Sequence, residues 1–152
     1  MTTIVKTLTL TDLLETSYGE LDELFRNSPA GEIPDGDSEG RALFFPGTFL
    51  AKPLAWIVRM LFWKGKVVDR KRGFLLNKIL PFGIKAIKAQ VYGTESWLDK
   101  KPCVVLDYSK TSFVAHFIRD EIRLVAPHLY LGIVYIGKLK TIHFAIQFMP
   151  GA

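Results

Sequence analysis

The feature that most constrains this chain is a change of rhythm near residue 63. From there to residue 148 the apolar residues come in short runs, split at near-regular intervals by glycines or polar turns. The runs are 63–68, 73–79, 84–92, 103–108, 113–125, 129–136 and 140–148. The breaks include Asp69 to Arg72, Pro81-Phe82-Gly83, Pro127-His128 and Gly137-Lys138. Residues 40–45, stopped by Pro46-Gly47, make the count about eight strands. Short connections favour antiparallel neighbours, because parallel ones need long crossovers. The sequence therefore predicts a mainly β protein, an antiparallel barrel of about eight strands, with room for side chains or one small ligand.

Two helices are expected with the strands. Thr9 or Thr11 can cap the first, which runs to about Asn27. Its Leu13, Leu14, Leu21, Leu24 and Phe25 fall near helical spacing, acids crowd its first half, and Gly19 weakens or divides it. Ser28-Pro29-Ala30-Gly31 and Pro34-Asp35-Gly36-Asp37 then stop regular structure and read as an acidic loop. The second helix is 48–63, apolar on nearly all sides. Such a helix is buried or meets lipid, and here it is expected to cover the barrel as a lid or a wall pad. All 152 residues read as one domain: 1–39 as helix plus acidic loop, and 40–148 as the barrel with helix 48–63.

A hydrophobic fraction of 49% excludes disorder for the body of the chain. Lone Cys103 can form neither an internal disulfide nor a cysteine-based zinc site. The first ten residues lack the basic start and long apolar run of a signal peptide, and no stretch reaches the roughly 18 apolar residues of a spanning helix. The expected compartment is the cytoplasm. Charge is unevenly spread. Residues 1–40 hold nine acids against Lys6 and Arg26, a net −7, which leaves +12 on the rest of a +5 chain. A basic body suits an anionic membrane or a phosphate-bearing partner; the plainer reading is a solvated surface partly met by the acidic segment.

Phe62-Trp63-Lys64-Gly65-Lys66 resembles the tryptophan–glycine–lysine element that opens the barrel in a group of uncharacterised bacterial lipocalin-like proteins. The block Ile118 to Arg123, followed by Leu129-Tyr130-Leu131-Gly132, resembles their later strands. The order of elements over roughly 40–148 is similar to the lipocalin and fatty-acid-binding, calycin-type barrels. That resemblance implies binding of an apolar ligand inside the barrel, and no particular chemistry.

No P-loop, G-x-G-x-x-G, H-E-x-x-H or G-x-S-x-G occurs, which argues against nucleotide-dependent or hydrolytic chemistry. The best polar cluster is His116, Arg119, Asp120, Glu121 and Arg123, joined by Asp107 and Tyr108. If 113–125 is one strand, His116 and Asp120 share a face about 13 Å apart. An inward Asp120 would be a carboxylate among apolar neighbours. It would need a partner, and desolvation would raise its pKa. It is then a general acid or base with His116 or Tyr108, an anchor for a ligand's polar group, or half of an ion pair with an adjacent strand. Arg119 and Arg123 suit a carboxylate head group, or a solvated outer face. Candidate ligand contacts are thus Trp63, Tyr108, His116, Arg119, Asp120, Arg123 and Tyr130.

His116, His128 and His143 show no ligand spacing, so neither metal nor cofactor is expected. Cys103 reads as a small core residue. Lys64, Lys66, Arg70, Lys71 and Arg72 cluster around one hairpin, but Val67, Val68 and Asp69 interrupt them, which argues against nucleic acid. Three functions stay open: a carrier or sensor of a lipid-like molecule, a barrel isomerase, cyclase or hydratase using acid–base chemistry, and a peripheral membrane or partner-binding module. Oligomeric state is not legible.

Overall fold

A computed structural model describes residues 7–43, 65–79, 84–113 and 115–150. The expected helix 48–63, and Trp63 with it, lies outside the described residues. Two short helices, α1 (Leu10–Leu14) and α2 (Tyr18–Arg26), precede eight strands. These are β1 (Gly36–Leu43), β2 (Lys66–Asp69), β3 (Phe74–Ile79), β4 (Ile84–Glu95), β5 (Pro102–Asp107), β6 (Ile118–Ala126), β7 (Leu129–Ile136) and β8 (Leu139–Phe148). Each strand pairs antiparallel with the next, and β8 returns to β1 from Ser38 opposite Phe148 to Leu43 opposite His143. The sheet is a closed barrel, so each described strand has a neighbour on both sides.

Period-two alternation divides the apolar residues into two cores. Ile118 and Ile122 of β6, Tyr130 and Val134 of β7, and Phe144, Ile146 and Phe148 of β8 join Val68, Leu75, Ala89, Val104 and Leu106 inside. Their strand neighbours Leu129, Leu131, Ile133, Tyr135, Val105 and Ala145 face outward and are covered by Leu13, Leu21 and Phe25 of the two helices. This explains why β7 is apolar on both faces: one lines the barrel and the other lies under α2. The barrel is filled at the level of Gly132. Phe144 is fully buried, and its ring occupies the space over Gly132, where a Cβ would lie 2.2 Å from it. An eight-stranded barrel is just wide enough for side chains to fill.

The ends of the barrel differ. At one, the 29–35 segment crosses the opening: Leu124 N donates to Pro29 O (3.0 Å), Tyr130 OH donates to Glu32 O (2.5 Å), and Ile33 packs on the inner core. At the other, β1, β3, β5 and β7 end and β2, β4, β6 and β8 begin. The inward apolar residues nearest that end, Ala42, Ile87, Ile136 and Ile142, are packed on the same core; Ala42, Ile87 and Ile136 keep part of their surface exposed.

Four boundaries differ from expectation, each for a local reason. The first helix breaks before Ser17, not at Gly19, because the Ser17 side chain accepts from Glu20 N and starts a new helix. β1 begins at Gly36, not Gly40, since its acids Asp37 and Glu39 point to solvent while Ser38 and Gly40 face in. β2 begins at Lys66, because Gly65 before it takes φ 106° and leaves the strand. β6 begins at Ile118, not Phe113: Thr111 and Ser112 N–H turn back to Tyr108 O, and Ser112 Oγ accepts from Ala115 N. In β4 the register slips at Ile87 (φ 57°), the extra residue of a bulge against β3, so plain alternation does not run through that strand.

Gly65 opens β2 at φ +106°, and a Cβ there would sit 2.2 Å from Ser38 O. Gly65→Ala therefore combines a left-handed backbone with a clash against the backbone of β1. Urea unfolding should show a loss of at least about 2 kcal/mol; a loss under about 0.5 kcal/mol would contradict the placement of this strand start.

Candidate functional site

The barrel interior holds one polar layer. β2 brings Lys66 inward beside Val68, β3 brings Asn77 beside Leu75, Tyr108 follows β5, and β6 brings Asp120 between Ile118 and Ile122. All four side chains are buried, Lys66 at 1% exposure and Asp120 at 0%. Lys66 Nζ donates to Asn77 Oδ1 (2.6 Å) and to Tyr108 OH (2.9 Å). Asn77 Nδ2 donates to Tyr108 OH (3.0 Å) and to Ile87 O (2.8 Å), which ties the layer to the bulge. Ser38 fixes the start of β2: its Oγ donates to Lys66 O (2.6 Å) and accepts from Lys66 N (3.0 Å). Lys66 Nζ lies 3.7 Å from Asp120 Oδ2. Asp120 accepts no hydrogen bond from any described residue.

These groups are displaced from their ordinary ionisation. Burial pushes the Asp120 carboxyl up from 3.8 to about 7, with the Lys66 charge opposing. Burial pulls the Lys66 ammonium down from 10.5 to about 8, with Asp120 opposing. Burial also raises Tyr108 well above its ordinary value, helped by the Asp120 charge. Desolvation exceeds the mutual attraction because the pair stands 3.7 Å apart and lacks direct hydrogen bonds to the carboxylate. The layer joins a proton donor and a proton acceptor, both shifted toward neutral pH, among apolar neighbours.

Of the candidates read from the sequence, Tyr108 and Asp120 meet here. Asp120's ion partner comes from β2 across the barrel, not from an adjacent strand. His116 does not join them. It lies in the turn before β6, exposed, with Nδ1 2.8 Å from Phe113 O, so the shared face expected over 113–125 is absent. Asp107 faces outward, accepting from Tyr92 OH (2.7 Å). Tyr130 lies inside at the opposite end.

Arg119 and Arg123 are on the outer wall. Arg123 is buried: its guanidinium grips Asp99 through two bonds of 2.7 Å, donates to Phe25 O, Pro102 O and Lys101 O, and covers the Phe25 ring. It clamps α2 and the β4–β5 loop to β6. Arg119 donates to Glu121 Oε2 (2.9 Å) and stacks on Trp97, while Glu121 also accepts from Ser96 Oγ and Trp97 N. The face is not the solvated one expected: Arg123 and Glu121 are buried, and the ion pairs run within β6 and to the β4–β5 loop.

His143 is buried beneath α2 with Nε2 2.6 Å from Asp22 Oδ1, and burial lowers its pKa. His128 occupies a turn at φ 60°. Among the described residues no three of His, Cys, Asp and Glu gather as a metal would need. Cys103 is buried under the helices, and burial pushes its thiol up to about 12.

Lys66 and Asn77 are the residues missed. The sequence sets Lys66 among the cations of the basic hairpin, yet it is inward and buried. The available signal was parity: in Lys66-Val67-Val68-Asp69, Lys66 shares a face with Val68, and a buried Asp120 demanded a cation.

Linkage gives the pair a signature. Asp120's raised pKa means its contribution to stability falls as pH rises from about 4 to 7. Lys66's lowered pKa means its contribution rises with pH from about 8 to 10.5. The pair therefore imposes a stability minimum between about 7 and 8. Lys66→Met alone strands the carboxylate and should cost about 3–5 kcal/mol at pH 8, and less at pH 5 where Asp120 is protonated. Lys66→Met with Asp120→Leu should be at least as stable as the wild type at pH 8 and lack the minimum. Urea titration across pH measures both; equal losses for Lys66→Met at pH 5 and pH 8 would contradict the assignment.

Comparison with known proteins adds the fold and no more. No family model matches the chain, and no curated protein matches it. A solved structure, described as a protein from Thermomonospora curvata, superposes with a TM-score of 0.61 over 89% of each chain at 18% identity. Among the described residues no helix is long and apolar enough to cross a membrane. The closed eight-stranded antiparallel sheet agrees with the barrel expected from the sequence.

Proposed function

We propose that this chain binds an apolar small molecule at the end of the barrel where β1 stops and β2 starts, with Asp120 as acceptor for a hydrogen-bond donor on the ligand. One observation carries the reading: Asp120 is fully buried, and both its oxygens lack a hydrogen bond from any described residue. A buried polar group without a partner costs on the order of 1–3 kcal/mol, and more if charged. A ligand donor would recover that cost. The donors of Lys66 and Asn77 already point at Tyr108, Asn77 and Ile87, so the open capacity of the layer is for accepting. That favours an apolar alcohol over a fatty acid, whose carboxylate would meet Asp120. Apolar Ala42, Ile87, Ile136 and Ile142 lie toward this end and suit the ligand's hydrocarbon part. Phe144 and its neighbours fill the barrel below, so they form a floor. The calycin-type resemblance points the same way.

A second reading rests on the same layer. Asp120 and Lys66 are both shifted toward neutral pH, as general acids and bases are. An enzyme moving a proton on an apolar substrate would use Asp120 as base, with Lys66 or Tyr108 as acid.

Binding of a long-chain alcohol and of the matched fatty acid, read by native mass spectrometry and by displacement of a fluorescent apolar probe, tests the main reading. The wild type should prefer the alcohol, and Asp120→Ala should weaken it by about tenfold when measured below its thermal transition, which the loss of Lys66's partner lowers. Failure of every apolar probe to bind, or unchanged alcohol affinity in Asp120→Ala, would overturn it.

A further inference from the structure

At the end of the barrel nearest the polar layer, the connections expose apolar side chains that a folded surface would ordinarily cover. Phe113 is 94% exposed, Leu139 69% and Phe117 39%. They form one patch. The rings of Phe113, His116 and Phe117 follow one another at centroid distances of 6.4 and 5.4 Å. Gly137 N donates to Phe117 O (2.8 Å), which fastens the 109–117 connection to the β7–β8 turn that carries Leu139. Two lysines flank the patch, Lys110 and Lys138, both exposed. The described residues of these two connections include no acid. The nearest acids are engaged elsewhere: Asp107 with Tyr92 and Ser109, and Asp22 with Lys140 and His143. Beside Phe113, a hollow of about 500 Å³ is rimmed by Ser109, Lys110, Thr111 and Ser112.

We infer that this end of the barrel docks on an anionic phospholipid surface, with Phe113, Phe117 and Leu139 entering the interface and Lys110 and Lys138 meeting lipid phosphates. Three exposed apolar side chains between cations are what an interfacial site presents. Beside Phe113, Ser109 and Ser112 bring hydroxyls to the same hollow. Charge decides against a second copy of the chain, because the patch would face its own lysines. The face does not depend on Asp120 and stands whether or not a ligand binds inside.

Flotation of the full chain with vesicles tests it, using phosphatidylcholine alone and phosphatidylcholine mixed with phosphatidylglycerol. At low salt the wild type should partition onto the anionic vesicles at least about tenfold better, and high salt should remove the difference. Lys110→Glu with Lys138→Glu should lower partitioning by at least about tenfold. Phe113→Ser with Leu139→Ser should lower it comparably while far-ultraviolet dichroism stays unchanged, since both side chains are mostly in solvent. Equal or absent flotation with the two vesicle types, wild-type flotation of the Phe113/Leu139 variant, or release by inorganic phosphate at matched ionic strength would each overturn the inference.

Discussion

Two opposite charges, Lys66 on β2 and Asp120 on β6, meet inside a closed sheet from strands that are not neighbours. Everything else about the interior is arranged around that contact. Ser38 pins the start of β2 through both backbone groups of Lys66. Gly65 lets the chain approach β1 closely enough for this to happen. Asn77 and Tyr108 take up the ammonium's hydrogen bonds, and the β4 bulge turns a backbone carbonyl toward Asn77. What the described residues do not supply is a hydrogen bond to the carboxylate. A buried ion pair of this kind is seldom retained for stability, since apolar replacements often do as well. Its retention here fits a role in recognition or proton transfer.

The rest of the molecule divides between the two ends. The 29–35 segment crosses one opening through Ile33, Pro29 and Glu32. The helices brace the wall through polar anchors: Arg123 holds the C-terminal end of α2, and Asp22 joins its middle to Lys140 and His143. The buried cations and carboxylates of the outer wall thus belong to assembly of the fold. The opposite end carries the polar layer just inside and the exposed phenylalanines outside. A molecule that enters there from a lipid surface would pass from Phe113 and Phe117 to the apolar rim and then to Asp120.

The architecture was legible because strand rhythm is set by local physics. Turn residues at Asp69 to Arg72, Pro127-His128 and Gly137-Lys138 fix where chains reverse, and short reversals leave antiparallel closure as the economical solution. Errors arose where side chains compete with backbone for hydrogen bonds. Ser112 and Ser17 each diverted a periodic run, and with Ser112 went the supposed partnership of His116 and Asp120. The need of Asp120 for a partner was legible from its apolar neighbours on β6. The partner was not, because the distance between β2 and β6 across a barrel depends on closure and shear, which no stretch of the sequence encodes locally. Lys66 was further hidden by charged residues on the same hairpin that do face solvent.

The central claim is that Asp120 is a desolvated carboxyl whose proton equilibrium is set jointly with Lys66. Carbon-detected nuclear magnetic resonance of the Asp120 side-chain carboxyl, followed from pH 3 to pH 9 in the wild type and in a control lacking Asp120, measures this directly. The account predicts a midpoint well above 3.8, toward about 7, and a further rise in Lys66→Met as the opposing cation is removed. A midpoint near 4 that is indifferent to Lys66 would place Asp120 in water, and the interior site described above would not exist.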